Sequence, residues 1–288
     1  MKAVLFLFSP LPLKPAKACI RFVMKVIPFT IFSSYKTTYI NICISFENLS
    51  LMEKEALAKK SFTESICSLY ETLYCLSRSN KKISKNIVRV DNRYLMSDAL
   101  KKKNGLLISG IHNRSVDISL QWINTQTPTV GVYKPLKNPF MNAYVKRERE
   151  REGNKQYTTS YKGVKELLKG LIKNKVIVMA SDQVPQDGMG EYAKFFDRDA
   201  YTTTLIPSLA NKTSKPLIYI GLFSAPQDYL KIIIRKSPKE ISAQSMNLTM
   251  EKMILSCPED YSWEYKRFKK RPLGARKLYR FNKPPALH

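Results

Sequence analysis

The chain has 288 residues and carries 49 Lys and Arg side chains against 23 Asp and Glu, which gives a formal net charge of +26. A field of this sign favours polyanionic partners, namely nucleic acid, phosphorylated lipid or an acidic carrier protein. Because 44% of the residues are hydrophobic and 11% are aromatic, the charge does not indicate disorder, and the chain can bury a core.

The cysteine and histidine counts argue against two kinds of site. The five cysteines are odd in number and form no C-x-x-C pair, so they fit neither a disulfide framework nor a zinc ribbon. We expect free thiols in a reducing compartment. The histidines are His112 and His288 alone, too few for most His-ligated metal sites, and no phosphate-binding glycine motif is present. We therefore expect neither a metal nor another cofactor.

The first 35 residues are apolar but interrupted by proline and lysine. No run reaches the roughly 20 apolar residues of a membrane-spanning helix, and no clear signal-peptide cleavage site follows a clean apolar stretch. Apolar residues between 23 and 29 alternate with Arg21 and Lys25, a pattern typical of a basic helix in the membrane interface. We predict that residues 1–35 form such a segment; the alternative is a buried pair of N-terminal helices.

Residues 36–100 are predicted to be mainly helical. Apolar side chains recur at helical spacing over residues 51–76, and Ser50 followed by Glu53 is the signature of a capping box. The polar and basic stretch 77–86 predicts a loop or linker.

From residue 101 onward, short apolar runs alternate with amphipathic stretches. The predicted strands are 105–110, 129–133, 176–180, 217–223 and 230–235, and the predicted helices are 116–124, 139–151, 161–173, 202–213 and 243–256. This alternation predicts a three-layer α/β domain over residues 101–288, with a mixed central sheet flanked by helices and preceded by the N-terminal helical segment. Nine Lys and Arg residues and no acidic residue follow Glu264, which predicts a positive C-terminal patch.

The only interior histidine follows the first predicted strand of this domain, in LLISGIHNRSVD. His112 and Asp117 can face each other if His112 lies in the strand-to-helix turn and Asp117 in the first helical turn, with Asn113 or Ser115 as the cap. Asp117 would then accept a hydrogen bond from one imidazole nitrogen, and the other nitrogen would act as general base on a substrate hydroxyl. The alternative is a structural histidine in a turn.

Further segments accompany this pair in a fixed order. They are INICISFENLSLMEKEAL (40–57), TVGVYKPLKNPFMNAYV (129–145), the Arg149-x-Arg151 pair, VIVMASDQ (176–183), two phenylalanines (195–196) followed by three threonines (202–204), and CPEDYSWEYKRFKKRPLG (257–274). Through them the chain resembles the late acyltransferases of lipid A biosynthesis, the lauroyl and myristoyl transferases that act on the Kdo-modified lipid A precursor. These belong to the wider glycerolipid acyltransferase group that shares H-x4-D/E.

The resemblance implies an enzyme at the cytoplasmic face of the bacterial inner membrane that needs no cofactor. The acyl donor would be acyl carrier protein carrying a fatty acyl chain, and the acceptor would be a hydroxyl of a phosphorylated lipid A precursor. The enzyme would also bind an anionic membrane surface. The implied site residues are His112 as general base and Asp117 as its partner, with Arg149, Arg151, Lys134 and Asp182 contacting the substrates.

Three positions depart from the family pattern. Asp117 stands where these enzymes more often have Glu, Lys134 replaces the usual Arg, and Asp197 replaces a preferred Gly. Asp117 and the short N-terminus leave a lysophospholipid or other glycolipid acyltransferase as the alternative. A nucleic-acid-binding protein is the third class, but no zinc finger, RNA-binding sheet signature or basic zipper is present, so we expect no nucleic-acid partner.

Overall fold

The structure is a computed structural model that describes residues 9–279. Its strands are β1 (Ile87–Asp91), β2 (Leu106–Gly110), β3 (Thr129–Tyr133), β4 (Lys155–Thr158), β5 (Val176–Ala180), β6 (Gly190–Phe195), β7 (Arg198–Thr203), β8 (Leu217–Ser224) and β9 (Leu230–Lys236). Its α-helices are α1 (Leu13–Met24), α2 (Ser33–Ser45), α3 (Leu51–Ser77), α4 (Asn80–Ser84), α5 (Arg93–Lys101), α6 (Val116–Asn124), α7 (Pro139–Arg149), α8 (Tyr161–Ile172), α9 (Leu205–Thr213) and α10 (Ala243–Ile254).

Seven strands form one sheet in the order β1-β9-β8-β2-β5-β3-β4. The β8–β9 pair is antiparallel and the other pairs are parallel, so the predicted mixed α/β fold is confirmed. β2 is buried along most of its length, as expected for an apolar strand covered on both faces. Gly110 at the end of β2 lies opposite Ala180 at the end of β5, so the loops that follow these two strands meet at one edge of the sheet.

The N-terminal helices share their core with the sheet. Phe62 of α3 belongs to the same buried cluster as Ile177 of β5 and Trp263. The capping box predicted at Ser50 and Glu53 is present at the start of α3. Residues 36–100 also contain β1, which pairs with β9; the sequence pattern did not predict this strand. The predicted linker 77–86 contains the short helix α4.

A two-stranded ribbon, β6–β7, packs against α10. Its turn residues Phe196 and Asp197 have φ angles of 48° and 56°, the left-handed conformation that a type I′ hairpin turn requires at both positions. Glycine adopts this conformation without strain, whereas Asp197 adopts it at a free-energy cost. Thr202 and Thr203 end β7, so the helix predicted over 202–213 begins only at Leu205.

The first described helix has a buried face, and exposed apolar side chains lie at and just beyond its end. One face of α1 packs into the protein through Leu13, Ala16 and Met24. Beside it, Phe22 is 71% exposed and Val26 is 76% exposed. No helix within residues 9–279 has the length and hydropathy to cross a membrane, and the first eight residues of the predicted interface segment lie outside the described residues.

Part of the predicted basic patch is structural. Arg267 is buried and donates hydrogen bonds to Tyr201 O and Thr202 Oγ1 of β7, because folding brings this segment against the ribbon. Within the predicted patch, the exposed basic side chains of the described part are Lys266, Lys269, Arg276 and Lys277. The patch continues at Arg280 and Lys283, outside the described residues.

Candidate active site

The turn that carries His112 forms as the local sequence predicts. β2 ends at Gly110, and Ser115 caps α6 by accepting a hydrogen bond from Ile118 N. Asp117 lies in the first turn of this helix. The peptide of His112 is held on both sides, since Ser262 N donates to its carbonyl oxygen at 2.9 Å and its own N–H donates to Asp182 Oδ2 at 2.9 Å.

The imidazole is bound by Asp182. His112 Nδ1 lies 2.6 Å from Asp182 Oδ1, and the carboxylate is almost fully buried while 26% of the histidine side chain is exposed. A carboxylate can only accept, so Nδ1 carries the proton and Nε2 presents its lone pair when the ring is neutral. The expected hydrogen bond between His112 and Asp117 is therefore corrected: the partner of the imidazole is Asp182, which the resemblance implied as a substrate-contacting residue.

Asp117 is instead bound by Arg149. The guanidinium donates from Nε to Oδ1 at 2.6 Å and from Nη2 to Oδ2 at 3.0 Å, a bidentate pair. The first turn of α6 directs Asp117 toward the end of α7, away from the turn before it. The Arg149 charge acts on His112 by lowering its pKa, so the two ion pairs are electrostatically connected.

The His112–Asp182 pair favours the charged form of both groups. Burial lowers the pKa of His112, but the Asp182 carboxylate raises it by more, through its charge and the Nδ1 hydrogen bond, so that it lies above its ordinary 6.5. Burial raises the pKa of Asp182, but the charge and hydrogen bonds of His112 outweigh this and bring it below 3.8. The pair can therefore stabilise an imidazolium formed during a proton transfer.

The other two predicted substrate contacts lie apart from this cluster. Arg151 pairs with Glu148 and donates to Arg78 O at 3.1 Å, so its guanidinium joins the end of α7 to the end of α3. Lys134 is exposed in the loop after β3. The structure thus brings together His112, Asp182, Asp117 and Arg149.

Sequence patterns did not single out four further residues that interact with His112, with Asp182 or with the loop that follows Asp182. Gln183 Nε2 lies 3.2 Å from His112 Nε2. Burial and the charge of the Asp182 carboxylate raise the pKa of the Tyr261 hydroxyl. Tyr265 Oη accepts from Val184 N at 3.0 Å. The Glu264 carboxylate, whose pKa is raised by burial, acts on His112 by raising its pKa. Tyr261 and Tyr265 lie in the family-like segment 257–274, but that pattern did not mark either tyrosine as a site residue.

A buried ionic network holds the His112 turn in place. Arg114 has no exposed side-chain surface and pairs with Glu64 at 2.6 Å, Glu71 at 2.6 Å and Asp260 at 2.9 Å. Glu71 also pairs with Lys17 of α1 at 2.8 Å. The turn is therefore tied to α3, to α1 and to the segment before Tyr261.

A cavity of about 760 Å³ opens beside this network, between α1, α3 and the β8–β9 turn. Its lining combines apolar side chains with charged side chains of both signs: Met24, Ile27 and Phe29, the cations of Arg21, Lys25, Lys59 and Lys60, and the carboxylates of Glu64, Asp228 and Glu259. Among residues 9–279, no group of three or more His, Cys, Asp and Glu side chains is arranged to hold a metal ion.

The family model described as bacterial lipid A biosynthesis acyltransferase matches residues 1–270. The chain belongs to this family. Similar proteins include the lipid A biosynthesis lauroyltransferase of Escherichia coli (strain K12), which is 26% identical over 85% of this chain and 82% of that protein. The lipid A biosynthesis palmitoleoyltransferase of the same strain is 24% identical over 83% of this chain and 80% of that protein.

Membership in this family confirms the resemblance found in the ordered motifs. It also identifies acyl transfer as the class of reaction for which the geometry of the site is to be considered. In this acyltransferase the aspartate of H-x4-D makes a bidentate pair with Arg149, while a second aspartate, far away in sequence, holds the histidine. The Asp117 side chain reaches Arg149 with two hydrogen bonds, of 2.6 Å and 3.0 Å, so the guanidinium is paired although aspartate is one methylene shorter than glutamate.

Proposed function

We propose that this acyltransferase moves a fatty acyl chain from acyl carrier protein to a hydroxyl group of the Kdo-modified lipid A precursor, with His112 as the general base. The observation that carries the proposal is the anchored imidazole. Its Nδ1 is committed to a buried carboxylate and its ring is partly open to solvent, the arrangement that a base acting on a substrate hydroxyl needs.

In the proposed step, the acceptor hydroxyl gives its proton to His112 Nε2 while its oxygen forms a bond to the thioester carbon. The tetrahedral intermediate then collapses by breaking the carbon–sulfur bond, and the leaving thiolate takes the proton from His112. Asp182 stabilises the imidazolium between the two transfers. No group is consumed, so the enzyme returns to its starting state.

We assign the basic residues to the anions of this reaction. Arg149, oriented by Asp117, supplies positive charge near the carbonyl oxygen that becomes negative. Lys134, exposed after β3, contacts a phosphate of the acceptor. Arg151 supports Arg149 by fixing the end of α7, since its contacts are with Glu148 and Arg78.

We further propose that residues 1–35 rest in the membrane interface, as a segment preceding the mainly helical 36–100 and the catalytic 101–288. The exposed Phe22, Val26 and Ile31 lie near Lys25 in sequence, and such a surface combines apolar insertion with attraction to anionic headgroups. The proposed location is the cytoplasmic face of the inner membrane, where the positive field also recruits the acidic carrier.

The test is transfer in vitro from acyl carrier protein to the tetra-acylated, Kdo-modified precursor, with the product identified by its mass. Wild-type enzyme should add one acyl chain, and the His112→Ala variant should add none while keeping its circular dichroism spectrum and melting temperature. Full activity of folded His112→Ala would exclude His112 as the base.

A lysophospholipid or other glycolipid acceptor is the second candidate, favoured by Asp117 in the position where the lipid A enzymes more often have Glu. Lipid A and phospholipids from a deletion strain distinguish the two by mass spectrometry. Under-acylated lipid A supports the first proposal, whereas complete lipid A with altered phospholipids or glycolipids supports the second.

A further inference from the structure

The side-chain amide of Gln183 lies against the reactive nitrogen of the imidazole. Its Nε2 is 3.2 Å from His112 Nε2. Since Nδ1 donates to Asp182 at 2.6 Å, the neutral ring has its lone pair at Nε2, and the group facing that nitrogen must be a donor. The amide N–H of Gln183 is such a donor.

The residues on both sides of Gln183 are held by hydrogen bonds, whereas the Gln183 side chain lies at the surface. Ser181 N donates to Gly110 O at 3.1 Å, Asp182 binds His112, and Val184 N donates to Tyr265 Oη at 3.0 Å. The Gln183 side chain itself is exposed. It can therefore leave the imidazole by a rotamer change, without any movement of the strand end that carries Asp182.

The other charged groups that act on the imidazole have partners of their own. Asp182 occupies Nδ1, Arg149 forms its bidentate pair with Asp117, and Glu264 accepts from Ser65 Oγ at 2.9 Å. Tyr261 belongs to the segment after α10, and burial together with the Asp182 charge raises the pKa of its hydroxyl. Among the described residues, Gln183 is therefore the one that places a hydrogen-bond donor beside His112 Nε2.

We propose that Gln183 is a positioning residue for the general base: in the free enzyme its amide N–H occupies the Nε2 lone pair of His112 and keeps the ring aimed at the acceptor site, and the acceptor hydroxyl replaces it on binding. The inference rests on the proposed function, because it assigns the acceptor to Nε2. The exchange replaces one hydrogen bond to Nε2 by another, so the ring keeps the same tautomer throughout.

The inference makes separate predictions for the free enzyme and for the enzyme–acceptor complex. A donor at Nε2 stabilises the neutral imidazole, so its removal should raise the pKa of His112 in the free enzyme, by about half a unit to one unit for a hydrogen bond of ordinary strength. In the complex Gln183 has already been displaced, so its removal should leave the pKa there unchanged. The pH profile of kcat/KM follows the free enzyme and that of kcat follows the complex.

The free-enzyme experiment uses the fact that the chain has two histidines. In 15N-labelled His288→Ala protein, His112 gives the only imidazole signals, and their shifts against pH report both tautomer and pKa. Gln183→Met keeps the side-chain length but has no donor, and Gln186→Met, an exposed glutamine of the same loop, is the matched control. We expect an upward shift in Gln183→Met and none in Gln186→Met.

The kinetic experiment compares the same variants in acyl transfer. In Gln183→Met the low-pH limb of kcat/KM should move upward by the shift seen in the spectra, while the limb of kcat should stay in place. Limbs that both move, or that both stay, would overturn the displacement of Gln183 by the acceptor. An unchanged or lowered His112 pKa in free Gln183→Met would overturn the contact itself. If wild-type enzyme transfers no acyl chain, the proposed function fails, and the spectra still decide the contact.

Discussion

His112 Nδ1 and Asp182 Oδ1 lie 2.6 Å apart although 70 positions separate the residues in sequence. The parallel pairing of β2 with β5 brings them together, because Gly110 and Ala180 are opposite each other and His112 and Asp182 each lie two positions beyond these strand ends. The tautomer of the candidate base is therefore set between two strand ends and not within the turn that carries the histidine.

Replacing Asp182 by Asn should reduce kcat/KM by roughly 10³- to 10⁴-fold, as expected when the carboxylate that orients a catalytic imidazole is lost. The same variant should lower the pKa of His112, since the charge that raises it is removed. Steady-state acyl transfer and 15N spectra measure the two effects. Asp187→Asn, in an exposed position, is the control, and near-normal activity of Asp182→Asn would show that the base is held by another group.

Replacing Asp117 by Asn should act through Arg149. The bidentate pair is lost, and we expect kcat/KM to fall by about 10²-fold with a smaller change in the His112 pKa than in Asp182→Asn. Arg149→Lys should give a similar loss, because an ammonium cannot form the same fork. A double-mutant cycle checks the coupling: the combined loss should be well below the product of the single losses. Independent losses would mean that the two residues serve different steps.

The activity of the wild-type enzyme should rise with pH through the His112 pKa. The base must be neutral to accept a proton, and its pKa lies above 6.5 because of Asp182. We therefore expect kcat/KM to be low at pH 6 and to increase tenfold per pH unit until it levels above that pKa. A profile that is flat from pH 5.5 to 8 would be incompatible with His112 as the base.

The same pair should give the free energy of unfolding a defined pH dependence. The raised pKa of His112 contributes stability that is fully present below pH 6.5 and is lost as pH rises through the folded-state pKa. The lowered pKa of Asp182 contributes stability that is present above pH 3.8 and is lost as pH falls through its folded-state value. Urea unfolding should therefore show the largest difference between wild type and Asp182→Asn between about pH 4 and pH 6.5.

Arg114→Met should destabilise the fold by about 3–5 kcal/mol, since it leaves Glu64, Glu71 and Asp260 buried without their shared cation. Urea unfolding followed by circular dichroism measures the change. Arg89→Met removes an exposed arginine and should change the free energy of unfolding by less than about 1 kcal/mol. Equal effects of the two variants would contradict a structural role for the buried network.

Asp197→Gly should stabilise the protein by about 1 kcal/mol. The residue has a φ of 56°, where a side chain costs free energy and glycine does not. Asp199→Gly, two positions further on inside β7, should instead destabilise, because glycine weakens a strand. Midpoints of urea unfolding decide both, and a loss of stability in Asp197→Gly would show that its carboxylate has a favourable contact that outweighs the backbone strain.

The sequence by itself determined the local structure around the candidate site. The apolar run that ends at Gly110, the Ser115 cap and the position of Asp117 in the first helical turn all follow from neighbouring residues, as does the capping box at Ser50. Backbone propensity and capping act over a few residues, so their outcome can be predicted from the residues themselves. The ordered motifs also indicated the family to which the chain belongs.

The tertiary structure alone decided which side chains meet. Asp117 and Asp182 are both aspartates near predicted strand ends or turns, and no local pattern tells which one binds His112. Strand order and register place Asp182 beside the imidazole. The first turn of α6 directs Asp117 toward Arg149, with which it forms an ion pair. Burial of Arg267 against β7 and the approach of Gln183 to Nε2 have the same origin, since packing between distant segments fixes side-chain partners and sequence spacing does not.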